Sequence, residues 1–407
     1  MFAAVHADRS GRIVLARDRG AAVFDGRAAR ALERAIPLPL GALVEPLVDR
    51  LAMGLDRTGI ARSLGAGRWA VGARLPAGFV RLGHPAYLTN DASPLTPGRF
   101  AAVGADERGE LVVAAEAIER EDQAGEMPES SLAARIADGL RERPSSRLVR
   151  QLARCAKDYR CRAAANAFLQ RADIAVPVAA PVNEHPPDGI AVRAQPDAMP
   201  TELAALEPTT AEIADLAVAH LEVGGTMVAF GRACEGEPLL AARTIDLAIA
   251  QIRARTALGS IHLETNGSVP SALHRFAEAG LDSVAIRIGS ARSETYERLH
   301  GPRGYRFTDV RASIDAASDA KLSLAVIVLV MPGLTDRERE LDALVSLCGA
   351  LRAGSQVLLR DLVADPAAVV RVIGAGEPLG VDRLLARLRA ELPSLRLGTV
   401  VRPLARV

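Results

Sequence analysis

From Thr209 onward the chain repeats one unit, an apolar strand followed by an amphipathic helix, and this regularity limits its possible folds more than anything else in the 407 residues. Thr209 or Thr210 caps a helix running through Ile213, Leu216, Ala217 and Leu221, with Glu212 near its dipole-positive start. A strand at 226–230 and a helix through Ile245, Leu247, Ile249 and Ile252 come next. The unit then recurs as strand 261–264 with helix 270–279, strand 283–288 with helix 310–320, and strand 323–331 with helix 336–347. A last strand, 356–359, precedes a short helix at 366–372 and a strongly amphipathic one at 381–392; an earlier strand at 174–178 opens the series. From 226 on, strands about 22 to 40 residues apart, each followed by a helix, call for right-handed crossovers and a parallel sheet. The expected architecture is α/β, a (β/α) partial TIM barrel, with a doubly wound open sheet as the alternative.

Ahead of the series the pattern differs. Between 11 and 115 short apolar stretches alternate with turn signals, and 100–104 and 110–114 read as strands joined by a Gly-containing turn. This predicts a small β-rich domain with Trp69, the only Trp, in its core. Residues 130–162 turn helical: Leu132, Ile136 and Leu140 recur at fourfold spacing, and Leu148 and Leu152 resume it after Pro144. Six prolines in the 28 residues from Pro181 to Pro208 mark a loop or tether. The expected division is a β-rich domain over 1–125, a helical connector over 126–173, the barrel over 174–363 and a helical extension over 364–407.

Composition narrows the function. Fifty basic residues against 49 acidic ones leave a net charge of +1, and no run of Lys or Arg forms a face for a phosphate backbone, so nucleic acid is not an expected partner. The longest apolar run, 324–331, falls far short of the ~20 residues of a membrane helix, and 1–10 is not a signal peptide, which gives a cytoplasmic expectation. The four cysteines are too scattered for a disulfide framework.

In parallel α/β folds the site lies where strands pass into loops at their carboxyl ends. The second strand runs out through Gly231, Cys234, Glu235, Gly236, Glu237 and Pro238, and the third through Glu264-Thr265-Asn266-Gly267. The fourth ends Ile288-Gly289-Ser290 and continues to Gly304-Tyr305, and the fifth ends Met331-Pro332-Gly333-Leu334-Thr335-Asp336. In this order and spacing, these fragments resemble the core of the radical S-adenosylmethionine (radical SAM) superfamily over roughly 174–363. The resemblance implies that Glu235, Gly236 and Glu237 present acceptors to the amino group of S-adenosylmethionine. Glycine lets the backbone approach a ligand, and carbonyl and carboxylate oxygens suit an ammonium. Thr265 and Asn266 are ligand contacts or simply a turn, Ser290 contacts a ribose or caps the next helix, and Arg360 reads a ligand or pairs with Asp361.

Two departures decide what is expected of this chain. Superfamily members resemble one another most in a Cys-x3-Cys-x2-Cys loop after the first strand, whose thiolates hold the 4Fe-4S cluster that cleaves the cofactor. Here the loop from Ala179 to Ala191 holds Asn183, Glu184, His185 and Asp188 but no cysteine. Cys155, Cys161, Cys234 and Cys348 read as free thiols, the alternative being a rebuilt site from Cys155, Cys161 and Cys234 with His185. Alternation in the fourth strand then sets Val284, Ile286 and Ile288 against the helices and leaves Arg287 facing the interior. That Arg needs a buried acid, Glu264 or Glu237, or it binds an anionic ligand.

The expectation is a superfamily homologue without the cluster cysteines and without radical chemistry. It carries no 4Fe-4S cluster, retains S-adenosylmethionine at most as a ligand, and serves as a scaffold for an active radical SAM relative or a small molecule. Its rivals are a SAM-dependent radical enzyme with unusual cluster ligation, and an unrelated TIM-barrel enzyme using Glu237 and Glu264 as an acid–base pair. An Arg287 salt bridge would silence that pair.

Overall fold

The computed structural model describes residues 2–89, 100–119, 129–186, 207–361, 366–374 and 376–404. The expected boundary at 125–126, the barrel limit at Val363 and loop residues Asp188, Gly189, Ile190 and Ala191 lie outside them.

The front unit is an antiparallel sheet built around two long strands, Ile13–Phe24 and Leu43–Leu55. The expected hairpin is present: Phe100–Ala105 pairs with Leu111–Val113, Val103 opposite Val113. Three hairpin tips share one device. Asp8, Asp56 and Asp106 each accept the backbone N–H groups two and four residues ahead, and Gly11, Gly59 and Gly109 supply the positive φ that closes the turn. Trp69 packs, half-buried, against this unit's core. Three helices follow, Glu129–Glu142, Arg147–Asp158 and Arg162–Leu169, with Pro144 in the gap between the first two.

The second unit is a seven-stranded parallel sheet: β1 (Asp173–Val176), β2 (Met227–Phe230), β3 (Ser260–Thr265), β4 (Ser283–Gly289), β5 (Ser323–Val330), β6 (Gln356–Asp361) and β7 (Arg396–Gly398). Each strand pairs with the next in chain order, and among the described residues no pairing joins β7 back to β1, so the curved sheet is a partial barrel. Its helices are α1 (Thr210–Glu222), α2 (Ala242–Arg255), α3 (Ser271–Ala279), α4 (Ser293–His300), α5 (Phe307–Asp319), α6 (Glu338–Gly349), α7 (Pro366–Ile373) and α8 (Val381–Glu391). Thr209 caps α1, and with Glu212 it forms a full capping box. Two elements went unread in the sequence. The helix α4 is short and mostly polar, and β7, which places a strand inside the expected helical extension, is three residues long, too few for any periodicity to register.

Side-chain alternation sorts the sheet into two faces. Val228, Phe230, Ile261, Leu263, Val284, Ile286, Ile288, Val326 and Val328 join the helices in the main core. Met227, Ala285, Ala325, Ile327 and Leu358 fill part of the interior. The apolar β5 therefore serves both faces. His262, Glu264, Arg287 and Arg360 take further inward positions and are buried. The β4–β5 register slips between Arg287 and Gly289, a bulge of the kind that re-aims side chains beside a site.

The front unit sits on the carboxyl ends of the later strands. Gly78 N–H donates to Thr399 Oγ1 at 2.7 Å, just past β7. Arg81, 1% exposed, faces Asp361 at the end of β6, Nε to carboxylate 3.7 Å, and donates to the Phe100 carbonyl. The Gly26 turn lies on the Pro332-Gly333 turn after β5. That second turn is the Pro-Gly-Leu-Thr-Asp motif: Thr335 Oγ1 accepts the Met331 N–H, and the Asp336 carboxylate accepts the N–H groups of Gly333 (2.7 Å) and Gly380 (3.2 Å).

Burial raises the Asp336 carboxyl to about 6 from its ordinary 3.8, and its amide donors offset only part of that. A pKa raised by folding stabilises the fold fully below pH 3.8, and the contribution is lost as pH rises through about 6. Asp336→Asn lacks this dependence. Relative to the parent it is expected to gain up to about 3 kcal/mol between about pH 4 and pH 7, read from urea unfolding midpoints across that range; a constant offset would contradict the assignment.

Candidate functional site

The carboxyl ends of β1 to β4 and β6 converge on a buried ionic centre. Glu237 follows β2, Glu264 lies on β3, Arg287 on β4 and Arg360 on β6. Arg287 Nη2 donates to Glu237 Oε2 at 3.0 Å, its Nη1 stands 3.6 Å from Glu264 Oε1, and Arg360 Nη2 donates to Glu264 Oε2 at 3.0 Å. Both acids named as partners for Arg287 are therefore engaged. None of these side chains is more than 8% exposed.

A third acid enters from the loop in which the sequence reading weighs only His185 as a ligand. Glu184, in the loop after β1, stands 4.0 Å from Arg287 Nη2. Its Oε1 accepts from Tyr305 OH at 3.2 Å and pairs with His300 Nδ1 at 3.1 Å, while Tyr305 OH also meets Tyr296 OH at 2.9 Å. Three carboxylates thus face two guanidinium groups. Burial alone would lower the Arg287 pKa, but Glu184, Glu237 and Glu264 together hold it above its ordinary value. Burial and the Glu184 charge push both tyrosine hydroxyls well above theirs. The signal for Glu184 in the sequence was weak: an acid between prolines reads as solvated, and His300 and Tyr305 lie more than a hundred residues away.

Backbone contacts fasten this loop. Glu235 takes the N–H groups of Val178 (2.6 Å) and Ala179 (3.1 Å) on one oxygen and that of Gly231 (2.8 Å) on the other. Gly236 N–H donates to Ala179 O, Glu237 N–H to Pro181 O, and His185 N–H to Gly301 O. A Cβ on Gly236 would collide with the Pro181 carbonyl oxygen and come within 2.7 Å of the Ala180 carbonyl carbon, so glycine is required by close approach. Asn266 Nδ2 donates to Asn183 Oδ1 at 2.8 Å, and Asn183 Nδ2 donates to Ser268 Oγ at 3.0 Å.

The residues expected at a cofactor now have observed partners. Glu235 and Gly236 hold the β1 loop. Glu237 accepts from the Thr265 hydroxyl, the Asn266 N–H and the Leu239 N–H as well as from Arg287. Arg360 pairs with Glu264, while its neighbour Asp361 faces Arg81. Ser290 stands apart: its hydroxyl donates to Glu340 at 2.6 Å and accepts the Arg292 N–H.

A thiolate-bound cluster does not fit the loop after β1. Among its described residues the polar side chains are an amide, a carboxylate and an exposed imidazole, and the first two are already engaged inside the centre. Nor do Cys155, Cys161, Cys234 and His185 form a metal-holding group. Cys161 packs in the helical core, and burial in α6 raises the Cys348 thiol to about 12. The acid–base reading of Glu237 and Glu264 loses its basis, because Arg287 bridges both.

Comparison with known proteins agrees with the strand-end series. Residues 195–345 match the family described as the radical SAM superfamily. The [FeFe]-hydrogenase maturase HydG from Carboxydothermus hydrogenoformans is 15% identical, with 67% of this chain and 71% of that one covered at a TM-score of 0.38. A radical SAM methyltransferase from Sphaerobacter thermophilus is 13% identical over 47% and 58% at 0.34, so this chain spans less than two thirds of its length. Methylornithine synthase is 12% identical over 70% and 86% at 0.33. The match over 195–345 takes in β2 to β5 and their strand-end turns, and over that part the chain is similar to the radical SAM superfamily.

Proposed function

We propose that this chain is a radical SAM homologue that has given up its cluster cysteines and acts as a non-catalytic binding or scaffold protein, engaging an active relative or a small ligand. One observation carries the reading. Where the cluster loop would stand, Glu184 is buried against Arg287, His300 and Tyr305, so the loop is an integral part of the barrel interior. The acceptors that would greet a cofactor's ammonium are engaged as well, Glu235 by loop amides and Glu237 by Arg287.

Anaerobic expression with iron and sulfide supplied tests this directly. The purified chain is expected to hold well under one iron per molecule, to lack the broad absorbance near about 400 nm of thiolate-bound clusters, and to give no heat with S-adenosylmethionine. Stoichiometric iron with cleavage of the cofactor on reduction would falsify the reading. Co-purification with a cysteine-bearing relative from the native lysate would identify the partner; a clean monomer there would favour the small ligand.

A further inference from the structure

The ionic centre has the form of an occupied binding site. Glu237 and Glu264 belong to the strand-end framework, and Glu237 also accepts the backbone N–H groups of Leu239 and Asn266. Glu184 is different. It arrives on a loop whose backbone bridges to Pro302, and its carboxylate has one oxygen taking Tyr305 OH and facing His300 Nδ1 and the other facing Arg287. A guanidinium, an imidazole and a phenol aimed at one carboxylate, all buried, form a recognition set for a carboxylate anion. The ring of His300 stacks on Tyr296 with centroids 4.2 Å apart, and its Nε2 lies against the bare Cα of Gly289, so the donors are fixed in place.

We propose that the barrel mouth is a carboxylate-binding site which this chain fills with its own Glu184, and that the ligand class it accepts is a small carboxylate anion. The proposal rests on the reading of the chain as a binding protein, and it names the chemistry bound. In the parent chain a free anion competes with a tethered carboxylate present at high effective concentration, so occupancy by solute is suppressed.

Glu184→Ala exposes the site to test. The substitution deletes Cγ, Cδ and both carboxylate oxygens, which correspond to acetate atom for atom. Thermal unfolding of Glu184→Ala is followed in sodium acetate or sodium formate against sodium chloride at equal ionic strength. A saturable rise in Tm of about 2 °C at ten times the Kd is expected with either carboxylate and none with chloride. The parent and Glu184→Gln, whose site stays filled, should show no such rise. Adding Tyr305→Phe to Glu184→Ala should weaken acetate binding about tenfold, the loss of one hydrogen bond. If Glu184→Ala does not fold in chloride, recovery on refolding in acetate is the same rescue.

Absence of rescue in folded Glu184→Ala, failure to fold in either salt, or equal stabilisation of Glu184→Gln would overturn the proposal. Iron content is measured on the same samples. An iron-bearing chain that shows rescue separates failure of the functional reading from failure of this one.

Discussion

Arg287→Met is expected to destabilise the chain by about 3–5 kcal/mol, more than any other single polar replacement in the barrel interior. The reason lies in the charge balance of the centre. The substitution removes a cation that contacts Glu184, Glu237 and Glu264 together, while Arg360 pairs with Glu264. Met fills the volume without neutralising anything, so buried carboxylates lose the partner that offset their desolvation. Arg287→Lys should recover under half of the loss. A single ammonium cannot repeat the planar fork that puts Nη1 toward Glu264 and Nη2 on Glu237. Urea unfolding of the three proteins measures this; a midpoint for Arg287→Met within about 0.3 M of the parent would show that the centre adds little to stability.

The second large effect is expected from Gly26→Ala, at the seat of the front unit on the barrel. Gly26 has φ +89, where an L side chain is strained, and a Cβ there would strike the Pro332 carbonyl oxygen and come within 2.5 Å of Gly333 Cα. Both obstacles are backbone, and the Pro332-Gly333 turn is itself held by Asp336 and Thr335, so neither side yields cheaply. The front unit is expected to lift from the strand ends near β5. Limited proteolysis should then cleave between the two units at least tenfold faster than in the parent, while the antiparallel sheet retains its far-UV circular dichroism. An unchanged cleavage rate would mean that the contacts of Arg81 and Thr399 suffice to hold the units together.

The strand-end motifs around the ionic centre are bonded to the chain itself. Gly236 is glycine because Pro181 and Ala180 press on it, not because a ligand is needed to require it. The Pro-Gly-Leu-Thr-Asp run after β5 is kept as a turn whose hydroxyl and carboxylate bind its own amides. Asn266 and Glu237 grip a loop of the chain itself. Motifs that serve ligands elsewhere are thus compatible with purely internal bonding, and their presence does not by itself report an occupied cofactor site.

Sequence alone determined the periodic part of this protein. Repeating strands and helices from Thr209 on, the hairpin at 100–114 and the inward Arg287 all follow from local spacing, because burial of one face imposes periods of 2 and 3.6 on neighbouring residues. The requirement that Arg287 meet an acid also followed, since an unpaired guanidinium cannot stay buried. Only the tertiary structure decided that Glu184 completes that pairing, that β7 extends the sheet, and that the front unit rests on the ends of β5 to β7. Those facts join residues as far apart as Glu184 and Tyr305, or Arg81 and Asp361, and such contacts leave no periodic trace: they depend on how the loops close, not on what lies next along the chain.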